Sequence, residues 1–262
     1  MARVSIFISN SFCCCDWLIS LIHLSSEFYN LKGFLNGEKV LKEIELSELK
    51  NIEGKSLLHL QCHFGLDTLS WARMGAKVTG VDLSPVAITQ ATKVKQKANL
   101  DAEFICSDVY AFGEKNTNQY GIVFTSYGAL CWLPSLTKWA ETVAKSLKPG
   151  GRFYIVEFHP IYDLLSGYGY FHRDEPDVEE EGTYTENDNG ETATLATWCH
   201  PLSDVINALI RVGIQINHVN EFPFSPYNCF DGLEQREKDR FYMADMQHDT
   251  PLLYSILGTK ST

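Results

Sequence analysis

The sequence lacks any run of roughly 18 apolar residues, the length a helix needs to cross a membrane. It is also poor in positive charge. Its 22 Lys and Arg face 33 Asp and Glu, a formal net charge of −11. That balance argues against nucleic acid or an anionic membrane surface as partner. Eight cysteines are present, but no CxxC pair of zinc spacing and no HExxH, so nothing calls for a metal ion. Three cysteines are consecutive (Cys13, Cys14, Cys15) and five stand singly. Reduced thiols in a cytoplasmic protein fit this usage better than a disulfide framework. Cys62, Cys106 and Cys131 lie in or beside apolar runs and read as small hydrophobes. Residues 1–22 lack the clean apolar centre and small-residue cleavage site of a signal peptide, because Asn10 and Asp16 interrupt them. An irregular N-terminal tail is expected there.

The remainder alternates strand and helix signals. Apolar runs at "KSLLHLQC", "KVTGVD", "AEFICSD", "YGIVFTSYG" and "RFYIVEF" predict five strands. Between them, "GLDTLSWARMG" has Asp67 in a first helical turn and Gly75 as a stop. "SPVAITQATKVKQKANL" opens with Ser84 as N-cap and Pro85 at the first helical position. "SLTKWAETVAKSL" carries a stripe of Leu136, Trp139, Ala140, Val143 and Leu147, and "KPGG" reads as a turn. Such alternation predicts an α/β fold with a mostly parallel sheet covered by helices on both faces. The rhythm breaks over residues 160–200, where an acidic run, "HRDEPDVEEEGTYTENDNGE", reads as a solvated insertion placed to act as a lid. A helix over "PLSDVINALIRVG", a sixth strand over "IQINHVNEF" and a seventh, antiparallel, over "PLLYSILGTK" complete residues 23–262 as one domain.

In an open α/β sheet, ligands bind beyond the carboxyl ends of the strands. The loop after the first strand, "QCHFG", holds Gln61, His63 and Gly65. It has the shape of a nucleotide cradle but one glycine where two or three are usual. Asp82 closes the second strand, 17 positions after Gly65, where an acid accepts from ribose hydroxyls. Asp108 follows the third strand, where a carboxylate accepts from an adenine amino group. Thr125, Ser126 and Tyr127 end the fourth.

The order "LLHLQCHFG… VTGVDLSP… FICSDVY… IVFTSYGALCWL… LKPGGRFYIVEF" resembles the class I S-adenosylmethionine-dependent methyltransferases. It looks most like a bacterial-type, small-molecule branch that is mostly uncharacterised. The resemblance covers residues 23–260 and implies a Rossmann-like, seven-stranded sheet in the order 3-2-1-4-5-7-6 with the last strand antiparallel. It also implies S-adenosyl-L-methionine as cofactor and S-adenosyl-L-homocysteine as product. By position, Gly65 matches the last glycine of the family's loop, with Gln61 and His63 in the other places. Asp82 with Leu83 matches the ribose acid and its neighbour, and Asp108 with Val109 the adenine contact. Thr125 and Ser126 match the backbone along the methionine part. Tyr29, in "SEFYN", stands where a segment folds over the cofactor. The family has an acid where this chain has His59. A loop that meets no pyrophosphate can tolerate Gln61 and His63, which a dinucleotide would not.

The implied reaction is an in-line displacement on a small-molecule acceptor, in which alignment and exclusion of water do most of the work. Phe64, Tyr127 and Trp132 are candidate aromatic neighbours for the sulfonium. His159 and Glu157, at the end of the fifth strand, are candidate general bases. His172, Arg173, Trp198, His200, Tyr227 and Asn228 are candidates to shape the acceptor pocket. Two other classes stay open: a binding protein for the cofactor or its product that has lost catalysis, and an NAD(P)-dependent oxidoreductase. The acceptor and the oligomeric state are not readable.

Overall fold

The computed structural model describes residues 26–182, 185, 190 and 192–262. The tail expected at residues 1–22 lies outside them, as does part of the 160–200 insertion. Seven strands form one sheet: β1 (Ser56–Leu60), β2 (Lys77–Asp82), β3 (Glu103–Cys106), β4 (Tyr120–Ser126), β5 (Leu147–Phe158), β8 (Ile214–Phe222) and β11 (Leu253–Lys260). Their spatial order is β3-β2-β1-β4-β5-β11-β8. Counted within this sheet alone, that is 3-2-1-4-5-7-6, as the resemblance implies. The first five strands pair in parallel, and β11 runs antiparallel to both β5 and β8.

Strand alternation sorts the core to two sides of the sheet. Leu58, Leu60, Val123, Phe153 and Ile155 pack on one side with α5 (Val109–Lys115), α6 (Leu136–Ser146) and α8 (Leu202–Arg211). Leu57, Phe124, Tyr154 and Val156 pack on the other, with α1 (Leu31–Leu35), α2 (Glu43–Glu48), α3 (Leu66–Arg73) and α4 (Pro85–Ala98). Ser84 caps α4 as expected, its Oγ accepting from Ala87 N at 3.0 Å. Gly213 stops α8 in a left-handed conformation, φ 83°. Among the described residues no helix is long and apolar enough to cross a membrane.

Several elements differ from the sequence reading. "KPGG" is not a separate turn but bulges within β5. Leu147 already pairs with Tyr120, and the register jumps to Ile122–Arg152 beyond it. Helix α5 and the short α1 and α2 carry too few periodic residues to be read. Asp108 makes α5 possible, since its Oδ1 accepts from both Tyr110 N and Ala111 N at 2.9 Å. The acidic run is not a plain loop. After α7 (Ile161–Leu165), β6 (Asp177–Glu181) pairs antiparallel with β7 (Ala193–Thr197). A second unread hairpin joins β9 (Leu233–Glu237) to β10 (Arg240–Met243). Cys106 is exposed rather than packed, because β3 is the edge strand.

Candidate functional site

Strands β3, β2, β1 and β4 are parallel neighbours, so their carboxyl ends lie along one edge of the sheet, where an open α/β sheet forms its ligand crevice. The loop after β1 answers why glycines are usual there. Gln61, His63 and Gly65 all adopt left-handed backbone, with φ of 58°, 51° and 78°. Glycine adopts this conformation freely, whereas an L side chain costs roughly 1–2 kcal/mol there. The loop thus keeps the glycine conformation while carrying two side chains. Strain of this kind persists where the surroundings enforce it. Gln61 Nε2 donates to Ala129 O at 2.6 Å, tying the loop to the segment after β4. Gly65 is required twice over. A Cβ there would stand 2.6 Å from the Phe104 ring as well as at positive φ.

Asp82 links these parts. Its Oδ2 accepts from His63 N at 2.7 Å and its Oδ1 from Ser84 N at 2.9 Å. Leu83, next to it, is 46% exposed, an apolar surface at the mouth of the crevice. Asp108 uses Oδ1 as the cap of α5, and its Oδ2 has no bond among the described residues. Val109 is buried beside it. Thr125 is fully buried. Ser126 sits in a chain of polar contacts: His59 Nδ1 to Thr68 Oγ1 at 2.8 Å, His59 Nε2 to Ser126 Oγ at 3.2 Å, and Ser126 Oγ donating to Asp67 Oδ2 at 3.0 Å. Burial lowers the pKa of His59 to about 3, so the ring is neutral. His59 and His63 are four positions apart, a spacing also used for metal ligands. Here the first ring is buried and bonded within the fold, and no group of three metal-ligating side chains gathers among the described residues.

Tyr29, Tyr127 and Tyr227 are brought together with His63 as a wall of rings. Tyr29 lies 5.4 Å from His63 and 4.7 Å from Phe64, and Tyr127 lies 5.1 Å from Tyr227. Phe64 itself is buried packing at 1% exposure. Trp132 stands in the 3-10 turn Leu130–Trp132 and is exposed.

The two candidate bases are bonded within the fold. Glu157 is buried. Its Oε1 accepts from Gly128 N and Phe158 N, and its Oε2 from Ala129 N and Leu130 N at 2.8 and 3.0 Å. Burial raises its pKa, against the pull of those N–H groups. His159 Nδ1 accepts from Ile161 N at 3.1 Å, which leaves Nε2 to donate to Glu221 Oε1 at 2.9 Å. Burial lowers its pKa, opposed by Glu221.

Of the remaining candidates, Asn228 is exposed in the segment between β8 and β9, and His172, Arg173, Trp198 and His200 belong to the insertion. His172 stacks on His200 with ring centroids 4.9 Å apart, and His200 Nε2 meets Leu133 O at 2.7 Å. Trp198 N donates to Cys131 O at 2.8 Å. The hairpin is thereby pinned to the turn that follows β4. Arg173 pairs with Asp177 at the surface. Glu45 and Asp67, acids on this side of the crevice, were not singled out as site residues from the sequence. Asp67 was legible only as a first-turn acid, and Glu45 lies on α2, a helix the sequence did not reveal.

Residues 57–151 match the family model described as a methyltransferase domain. A ubiquinone biosynthesis O-methyltransferase of Coxiella burnetii is 25% identical over 134 residues, 50% of this chain and 56% of that protein. The chain thus spans little more than half the length of the curated relatives it matches. Among solved structures, an S-adenosylmethionine-dependent methyltransferase of Methanosarcina mazei superposes with a TM-score of 0.60, at 20% identity, over 84% of this chain and 98% of that one. The glycopeptide N-methyltransferase MtfA, complexed with S-adenosylmethionine, gives 0.53 at 14% identity, over 90% and 94%. These two are likenesses of fold. The sheet order and the antiparallel seventh strand are those of the class I S-adenosylmethionine-dependent methyltransferase fold, and residues 57–151 carry the sequence match to a methyltransferase domain.

Proposed function

We propose that the protein transfers a methyl group from S-adenosylmethionine to a small-molecule acceptor. One observation carries this reading: the ends of four adjacent strands present a left-handed loop, Asp82, Asp108 and Ser126, in that order, to one crevice. When bound, the cofactor supplies an electrophilic methyl group on a sulfonium. Asp82 would hold the ribose and Asp108 with Val109 the adenine, against Leu83. The backbone of Thr125 and Ser126 would line the methionine part. The rings of Tyr29, Tyr127 and Tyr227 would exclude water and suit a cationic sulfur. The insertion over 160–200 acts as the acceptor-side wall. Its anchorage at Cys131 and Leu133 supports that role.

We read Glu157 and His159 as positioning residues rather than bases. Glu157 collects four backbone N–H groups and so fixes the turn after β4. An acceptor that carries a proton must then lose it to water or to its own neighbouring group. The relatives that act in ubiquinone biosynthesis are named O-methyltransferases, so oxygen nucleophiles are the acceptors to screen first. A second reading, a binding protein without turnover, is favoured by the same occupied bases. Methyl transfer to any acceptor separates the two.

Calorimetry with S-adenosylhomocysteine tests the cofactor. The expected result is micromolar binding that Asp82→Ala weakens by about tenfold, near 1.4 kcal/mol. Absence of binding at millimolar ligand would remove the proposal.

A further inference from the structure

Acceptors outnumber donors at the end of the crevice beside β4. Asp67, in the first turn of α3, accepts the Ser126 hydroxyl on Oδ2, and its Oδ1 has no bond among the described residues. The His59–Thr68 contact behind Ser126 fixes that orientation. Glu45 of α2, 1% exposed, meets the same region and uses Oε2 to accept from Lys42 N at 3.1 Å. Burial and then the Asp67 charge push its pKa up to about 8. The cation that faces both carboxyls is Lys42. Its ammonium lies 4.7 Å over the Tyr227 ring. The other titratable neighbours of Glu45 are phenols. Tyr127 and Tyr154 each bring a buried hydroxyl without a hydrogen bond of proper geometry, and Tyr154 is wholly buried, with Glu45 the charge that weighs most on it. Further along α2, Glu48 is already held by His218 and Asn220. Finally, Gln61 Oε1 is a buried acceptor with no donor, on the loop tied to Ala129.

The two carboxyls share one cation, Lys42, and the Gln61 amide oxygen on the adjoining loop has no donor. A second cation with three N–H donors would serve the free Asp67 and Gln61 oxygens and offset the Glu45 charge. We propose that Asp67 and Gln61 Oε1 receive the α-ammonium group of the cofactor's amino-acid end, with Glu45 supplying negative charge behind them. The proposal rests on the cofactor reading above. It makes these residues the ones that distinguish an intact amino acid from a truncated or deaminated ligand. It also replaces the acid missing at position 59 with one from the following helix.

The test compares three ligands by calorimetry: S-adenosylhomocysteine, its deaminated analogue and 5′-methylthioadenosine. Wild type should favour S-adenosylhomocysteine over the deaminated analogue by about tenfold or more. Asp67→Asn, which keeps the shape and an acceptor for Ser126, should cut that preference to about threefold or less while leaving the analogue's affinity unchanged. Independently, binding of S-adenosylhomocysteine near pH 7 should release protons, seen as a dependence of the heat on buffer ionisation. Glu45→Gln should abolish the release. Equal affinity of wild type for the amino and deaminated ligands, equal weakening of both by Asp67→Asn, or no proton release would overturn the proposal. Binding of none of the three ligands would instead remove the cofactor reading itself.

Discussion

The loop after β1 shows how much one residue's backbone can demand. Gln61 and His63 meet the left-handed requirement with side chains, and Gly65 meets it alone with no room for a Cβ. Two glycines separate the two demands. Gly54 has a similar φ, 70°, but open space around its missing Cβ. Gly54→Ala should cost about 1 kcal/mol, the left-handed penalty alone. Gly65→Ala should cost about 2–4 kcal/mol, because the Phe104 ring must also move. Denaturant unfolding of both variants measures the difference, and equal losses would mean that the ring gives way freely. The residue types at 61, 63 and 65 were legible as a loop. Their shared conformation was not, because nothing in the identity of Gln or His announces positive φ. Asp67 and Glu45 were hidden for another reason: Asp67 reads locally as a first-turn acid, Glu45 sits on a helix too short to be read, and only the docking of that helix brings the two together.

At the scale of elements, the legible parts were those with strong local signals. Ser84-Pro85 opens α4, the apolar stripe of α6 packs on the sheet, and β1, β2 and β4 lie where apolar runs placed them. The β6–β7 hairpin was not legible, since its first strand is "DVEEE", an acidic run with no β preference of its own. What holds it is β7 and the two residues that follow. Trp198 is buried, donating from its backbone to Cys131 O and from its indole to Asp174 O at 3.2 Å. Trp198→Ala should therefore release the insertion without unfolding the sheet. Hydrogen exchange should speed up by about tenfold or more over β6 and β7 while β4 and β5 stay protected. Uniform loss of protection across the sheet would show that the hairpin and the core form one cooperative unit instead.

For the whole molecule, buried titratable groups set opposite slopes of stability against pH. His59 and His200 are held neutral, with pKa values lowered by burial to about 3 and about 4. The unfolded chain takes up these protons first, so their contribution is lost as pH falls below about 6.5. Glu45 acts in the other sense. Its folded pKa of about 8 lies above the ordinary 4.5, so the native state holds the proton more tightly. Its contribution is present below pH 4.5 and is lost as pH rises towards 8. Wild type should lose stability relative to Glu45→Gln across that window, at up to about 1.4 kcal/mol per pH unit. Urea midpoints at a series of pH values measure it, and a pH-independent difference would show that Glu45 is ionised in the native state. The alternating strand and helix signals made the mostly parallel α/β class legible, whereas the order of the strands was legible only through the family resemblance. The same order has a consequence for synthesis. Strand β11 lies between β5 and β8 yet follows both in sequence. While the chain emerges from the ribosome, β5 has an open edge and β8 has no neighbour to join. Of the seven strands of this sheet, the one latest in sequence, residues 253–260, is therefore the one that joins β8 to the rest.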